Sequence, residues 1–409
     1  MKTFEKKLED YGRVLTEIGL DLKEGDGLII NFDIWGLELA REVTKFAYKA
    51  GVKSVINLFS DDEMTLARYE YGRDEIFDEL EKFKVDYTEE AFKNNYHSLY
   101  IYGPNPQLLE NVDSGRIHRW QRAYSLATKP IQHYEMDNLA KWCVALVPTP
   151  AWAKMVFPEL EEKEGLEKLW SLVFEINRIN EDNPVEAWRT HDKALKEKED
   201  YLNKMNFEKL ILRGPGTELE VHLVENHQWI GGSSQLERGD RFMANMPTEE
   251  IFTMPNKRKV EGRVRATKPL SVQGRLVEDF SMEFKEGRLV SFQAGKGEEV
   301  LESLFDMDQG ARYLGELALV AESSPIARTG LLFYDTLFDE NASCHLALGK
   351  AYGENLRNYE GLSSEEKEKL GMNDSIIHVD FMIGGPEFDV IGVDKAGNPV
   401  KIFERGNWV

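Results

Sequence analysis

Two cysteines occur in 409 residues, Cys143 and Cys344, and they stand 201 positions apart. That count excludes a disulfide framework and a cysteine-based zinc site. Positive charge is also scarce: 51 Lys and Arg face 73 Asp and Glu, a net charge of −22. Nucleic acids and anionic membrane surfaces are both held by clustered Lys and Arg, so this balance argues against either as a partner. No apolar run reaches the roughly 18 residues that a membrane-spanning helix needs. The opening stretch, MKTFEKKLEDYGRVLTEIG, carries charges throughout and lacks the apolar core of a signal peptide. The expected setting is a reducing cytoplasm. Two chemical signatures are missing as well. No H-E-x-x-H occurs, which excludes a mononuclear zincin by pattern. The turn after the first expected strand, Asn31 to Gly36, has neither G-x-G-x-x-G nor G-x-x-x-x-G-K-[ST]. A pyrophosphate could not approach the backbone closely there.

What is present is an ordinary globular composition, 42% hydrophobic and 11% aromatic, in a chain long enough for two or three domains. Apolar residues at helical spacing predict a helix over 3–20. A buried strand over 28–32, a helix over 34–50 closed at Gly51, and a strand over 52–58 form a βαβ unit, which implies a parallel sheet. Further strands are expected at 97–102 and 142–147. Residues 150–205 read as charged, solvated helices.

Near residue 206 the pattern changes. Alternation over 210–212 and 219–223 around Gly214-Pro215-Gly216 predicts a hairpin. Strands are expected at 271–278, 281–284 and 288–293, then a helix over 298–322 interrupted by Gly310 and Gly315. Ser363-x-x-Glu366 is a capping box for a short helix ending at Gly371, and strands follow at 376–383 and 388–393. The expected architecture is an α/β N-terminal domain over 1–205, a scaffold bordering a substrate cavity, and an α+β C-terminal metal-binding domain over 206–409.

Eight histidines occur, and two have distinctive surroundings. His378 and Asp380 lie two apart in an apolar strand, so they project from one face while Ile377, Val379 and Phe381 fill the other. An imidazole beside a carboxylate suits zinc, cobalt or manganese, and a solvated strand face is the competing reading. His345 sits among Asp339, Glu340, Cys344 and Tyr352, with the small residues Ala342, Ser343, Ala347 and Gly349 permitting close approach. A core histidine is the alternative; a Cys344–His345 catalytic pair is disfavoured because neighbours in a strand face opposite ways. Glu316 lies in an apolar stretch expected to be helical, where a buried carboxylate needs a partner. Either a cation or Arg312, one helical turn back, could serve. Glu250 follows Glu249 in what reads by default as a surface loop. Together these make two His, one Asp and two or three Glu. That is the inventory of a two-metal hydrolytic site, whose cations lower the pKa of water toward neutrality and polarise a scissile carbonyl.

At Asn245–Thr253, Gly315-Glu316, Leu337–Gly349, Tyr352 and His378–Gly384 the sequence resembles the metal-dependent aminopeptidase family of aminopeptidase T and aminopeptidase S. The likeness spans essentially the whole chain. It implies that Glu250, Glu316, His345, His378 and Asp380 hold two divalent cations (zinc, cobalt, magnesium or manganese), with Glu316 bridging and Glu340 a ligand or just outside. It also implies that Tyr352 donates to the developing oxyanion, and that Glu316 or Glu340 carries the proton to the leaving amine. The implied protein is a homodimer that releases N-terminal residues from short peptides. A di-metal amidase or phosphoesterase, and a catalytically silent peptide-binding protein, remain as alternatives.

Overall fold

A computed structural model describes residues 2–272 and 275–409. The described residues divide into two compact units, 2–191 with 233–247 and 192–232 with 248–409. The division at 191/192 falls inside the Pro184–Met205 helix. That helix runs without a break through the charged stretch, so composition marks its end rather than the division.

The first unit is built on an all-parallel sheet in the order Asn245–Met246, Trp142–Leu146, Tyr96–Tyr102, Gly27–Asp33, Ser54–Ser60. Leu28, Ile29 and Ile30 are all buried, the signature of a strand covered on both faces. The chain order reverses between the Gly27–Asp33 and Tyr96–Tyr102 strands, the place where open α/β sheets take nucleotides at their carboxyl ends. Here Asp33 fills that position. Its carboxylate accepts the N–H groups of Trp35 (2.9 Å), Gly36 (3.0 Å) and Gly103, so an internal anion occupies the donors a phosphate would need. This agrees with the missing glycine motif.

The second unit holds two antiparallel sheets. The larger runs in the order Leu270–Val272, Arg275–Lys285, Pro255–Arg265, Thr217–Leu223, Lys209–Gly214, Asp389–Val393, Pro399–Glu404, Asn407–Trp408, with Arg288–Lys296 paired to Arg275–Lys285. The hairpin expected around 214–216 is present, and the strands expected at 281–284 and 288–293 pair as a second hairpin. The strand expected over 271–278 includes residues 273 and 274, which lie outside the described residues; 281–284 is the end of the long Arg275–Lys285 strand. The smaller sheet runs His378–Met382, His345–Gly349, Leu314–Leu319, Ile251–Thr253, Ile230–Gly231. One hydrophobic cluster joins the two sheets, with Leu210, Leu219, Val260 and Phe280 from the larger and Leu317, Leu346, Leu348 and Phe381 from the smaller.

The helix expected over 298–322 is corrected here. A helix occupies only Glu298–Phe305, and Leu314–Leu319 is a strand buried at every position. A short run that is apolar all round carries neither helical nor strand periodicity, and a central strand hydrogen-bonded on both sides is what such a run becomes. Arg312 pairs with Asp306 at 2.8 Å instead of with Glu316. The Ser364–Leu370 helix begins with the expected capping box and ends at Gly371 with φ 97°.

Candidate metal centre

Sheet register explains why the acids and imidazoles converge. Across the three neighbouring strands Glu316 pairs with Ala347, and Ala347 with Asp380; Ala318 pairs with His345, and Gly349 with His378. Alternation then puts Glu316, His345, His378 and Asp380 on one face. The cross-strand neighbours Ala347, Ala318 and Gly349 are small and leave space for those side chains. Leu346, Leu348 and Phe381 point the other way, into the core.

A bulge makes this possible on the central strand. Leu314 pairs with Leu348 and Glu316 with Ala347, leaving Gly315 as the extra residue. Strict alternation would put Leu314 and Glu316 on the same face; the bulge sends Leu314 to the core and Glu316 to the site. Only glycine fits there, since a Cβ would sit 2.4 Å from the carbonyl oxygens of Gly349 and Lys350. Glu250 enters just before the Ile251–Thr253 strand, whose Phe252 pairs with Ala318, so it joins the same face.

The resulting distances are short. His345 Nε2 lies 3.2 Å from Glu250 Oε2 and 3.6 Å from Glu316 Oε1. His378 Nε2 lies 3.6 Å from Glu316 Oε2 and 3.4 Å from Asp380 Oδ1. Two ligand groups result, Glu250–Glu316–His345 and Glu316–His378–Asp380, each with its atoms within 4.8 Å of one another. Glu316 belongs to both and turns one oxygen to each histidine. Both imidazoles are set by their other nitrogen: His345 Nδ1–H donates to Ser343 O (3.1 Å) and His378 Nδ1–H to Lys350 O (2.7 Å). This leaves Nε2 of each ring for the cluster, the arrangement usual in histidines that ligate metals.

Glu340 closes the Thr336–Glu340 helix beside the cluster without joining either group. The ring of Tyr352 lies 4.6 Å from that of His378 and 6.2 Å from that of Phe252. Sequence reasoning does not single out Asn341, which is fully buried and accepts the N–H of Glu249 at 2.7 Å. Nothing local marks it, because its partner lies 92 residues away.

Does the site fit divalent cations? Burial raises Glu316 to about 7 despite the neighbouring histidines. Glu340 is raised well above the usual carboxylate range by burial and by the charges of Asp380 and Glu250. Burial opposes charge on the imidazoles, yet Glu250 and Glu316 hold His345 above its ordinary value, and Asp380 brings His378 to about 9. Glu316 Oε2 and Asp380 Oδ1 are buried and accept no hydrogen bond. Orphaned carboxylate oxygens facing imidazole Nε2 atoms form a donor set for borderline cations, so the residues fit.

A pH effect follows for the metal-free protein. His378, raised from 6.5 to about 9, contributes stability that is complete below pH 6.5 and lost as pH rises through 9. Glu316, raised from 4.5 to about 7, contributes a loss of the same sign between pH 4.5 and 7, of which only the end falls above pH 6.5. The Tm of chelator-treated protein is therefore expected to fall from pH 6.5 to 9, and that of metal-loaded protein to stay nearly level. A metal-free Tm that rises over this interval would contradict these shifts.

Three comparisons bear on this geometry. A family model described as thermophilic metalloprotease (M29) matches residues 4–408. The chain is 41% identical over 408 residues to Aminopeptidase 2 of Geobacillus stearothermophilus, covering 100% of this chain and 99% of that one. It is 39% identical over 410 residues to Aminopeptidase T of Thermus thermophilus, covering 100% of both. Among solved structures it is similar to the wild-type AmpT from Thermus thermophilus, with a TM-score of 0.94 at 38% identity and full coverage of both chains.

Proposed function

Since the chain belongs to the thermophilic metalloprotease (M29) family, we propose that it is an aminopeptidase releasing N-terminal residues from short peptides at a site for two divalent cations. The observation that carries the two-cation reading is the shared position of Glu316, with one oxygen toward His345 and the other toward His378. In this reading Glu250, Glu316 and His345 hold one ion, and Glu316, His378 and Asp380 the other. Two imidazoles with carboxylates suit zinc, cobalt or manganese. When bound, such ions polarise the scissile carbonyl and lower the pKa of water.

The protein's own groups do the rest. Tyr352 supplies a neutral donor, since burial and the carboxylates of Glu316 and Asp380 hold its phenol protonated. A donor aimed where negative charge develops strengthens its bond in the transition state. With one oxygen of Glu316 facing each histidine, Glu340 is the carboxyl left to take a proton from the attacking water and pass it to the leaving amine, once bound cations offset the neighbouring carboxylate charges that add to burial in raising it. The excess of carboxylates also suits the α-ammonium of a free peptide N-terminus.

This predicts that Tyr352→Phe lowers kcat by roughly 10²-fold with KM little changed. An unchanged kcat in steady-state assays would assign the ring to packing against His378. The activity itself is tested by mass spectrometry of a short peptide and its N-acetylated copy. Sequential loss of N-terminal residues from the free peptide alone is expected; internal cleavage, or equal attack on the blocked peptide, would contradict an aminopeptidase.

A homodimer and a cytoplasmic setting complete the proposal. The Ser54–Ser60 strand is an edge of the parallel sheet with Asn57 to Ser60 exposed, Leu58 and Phe59 at 37% and 49%. Parallel sheets are normally covered on both faces, which supports a second copy there. Both cysteines are buried and free, consistent with a reducing compartment. No helix among the described residues is long and apolar enough to cross a membrane.

A further inference from the structure

We infer that Asn341 is a positioning residue that sets the distance between Glu250 and Glu340, and so the cation affinity of the site. The inference rests on the two-cation reading above. Asn341 is fully buried at the end of the short Thr336–Glu340 helix. Its Oδ1 accepts the backbone N–H of Glu249 at 2.7 Å, and its Nδ2 donates to Leu337 O at 2.9 Å and to Glu340 Oε1 at 3.4 Å. One amide therefore ties the residue before Glu250 to the helix that ends in Glu340.

The strand after Glu250 is paired on both sides in its sheet and Phe338 of the helix packs on Phe333, but neither of these contacts runs from one segment to the other. The strand following Glu250 is three residues long, and the helix carrying Glu340 is five. A five-residue helix is not stable by its own hydrogen bonds, so its place depends on its neighbours. Electrostatics works against the arrangement too, since the charges of Asp380 and Glu250 act on Glu340 with the sign of repulsion. A neutral side chain offering an acceptor to one segment and a donor to the other resists that repulsion without adding charge.

Three further hydrogen bonds fix the frame in which Asn341 acts. The Asp339 carboxylate accepts the N–H of Phe333 at 2.8 Å and of Asp335 at 3.3 Å, anchoring the loop that enters the helix. Ser324 Oγ donates to the Asn341 carbonyl at 3.3 Å on the far side. The helix is thus held at both ends, and the Asn341 side chain is its link toward Glu250.

The test is isothermal titration of chelator-stripped protein with zinc or cobalt, read beside Tm. Asn341→Ala is expected to weaken cation affinity roughly 10-fold or more, the usual cost of losing a group that orients a ligand. Asn341→Asp keeps an acceptor for the Glu249 N–H but loses the donor to Leu337 O and Glu340 Oε1 and adds a charge beside Glu340, so it too is expected to bind more weakly than wild type. Asn203→Ala is the control. Asn203 bridges Trp229 with a matching pair of bonds, donor and acceptor both at 2.9 Å, in the helix Pro184–Met205. It should lower Tm and leave affinity unchanged.

Wild-type affinity in Asn341→Ala, or an equal loss in Asn203→Ala, would overturn the inference. So would an Asp variant that binds like wild type, a comparison that also decides the matter if Asn341→Ala does not fold. A wild-type protein that binds no divalent cation would instead sink the two-cation reading beneath it.

Discussion

Glu316→Gln is expected to lower kcat/KM for aminoacyl p-nitroanilides by roughly 10³-fold or more, with less divalent metal retained per subunit. The amide keeps the size and one oxygen of the carboxylate but loses the charge, and it can turn only one acceptor toward the histidines. Because Glu316 belongs to both ligand groups, a single change weakens both at once. A glutamine there also removes the group that burial raises to about 7, so the acid–base behaviour of the apo site shifts together with its metal content. Paired measurements of activity and metal by inductively coupled plasma mass spectrometry decide the point. An active, fully loaded Gln variant would remove Glu316 from the shared position.

Chelation should have an even larger effect. EDTA is expected to take peptidase activity to background, and added zinc or cobalt to restore it. Within the stripped site, the carboxylates of Glu250, Glu316 and Asp380 favour protons on the imidazoles, which is why His345 and His378 lie above their ordinary values. Metal binding must displace those protons, so affinity should weaken as pH falls. Titration in buffers of different ionisation enthalpy would count the protons released. Activity that survives exhaustive chelation would contradict the proposed chemistry.

Particular residues show what the sequence could reveal. His378 and Asp380 sit two apart in an apolar strand, so their common face follows from alternation alone. The βαβ start of the chain was legible for the same reason, through periodicity bounded by Gly51. Glu316 was legible as a carboxylate in need of a partner, but its strand was not. Leu314–Leu319 is buried on both faces and carries no period, and the bulge at Gly315 is set by carbonyls of Gly349 and Lys350 that lie more than 30 positions on. Likewise, the two-residue Asn245–Met246 strand pairs with Trp142–Leu146 across a long loop of sequence, and nothing local announces it. Asn341 belongs to this class, its role defined by a backbone N–H in another segment.

The account stands on one carboxylate serving two ions, and an anomalous-scattering map from crystals grown with zinc or cobalt tests that most directly. Two peaks in each subunit are expected, one beside Glu250 and His345, the other beside His378 and Asp380, with Glu316 touching both. A single peak, or none at these residues in catalytically active crystals, would contradict it.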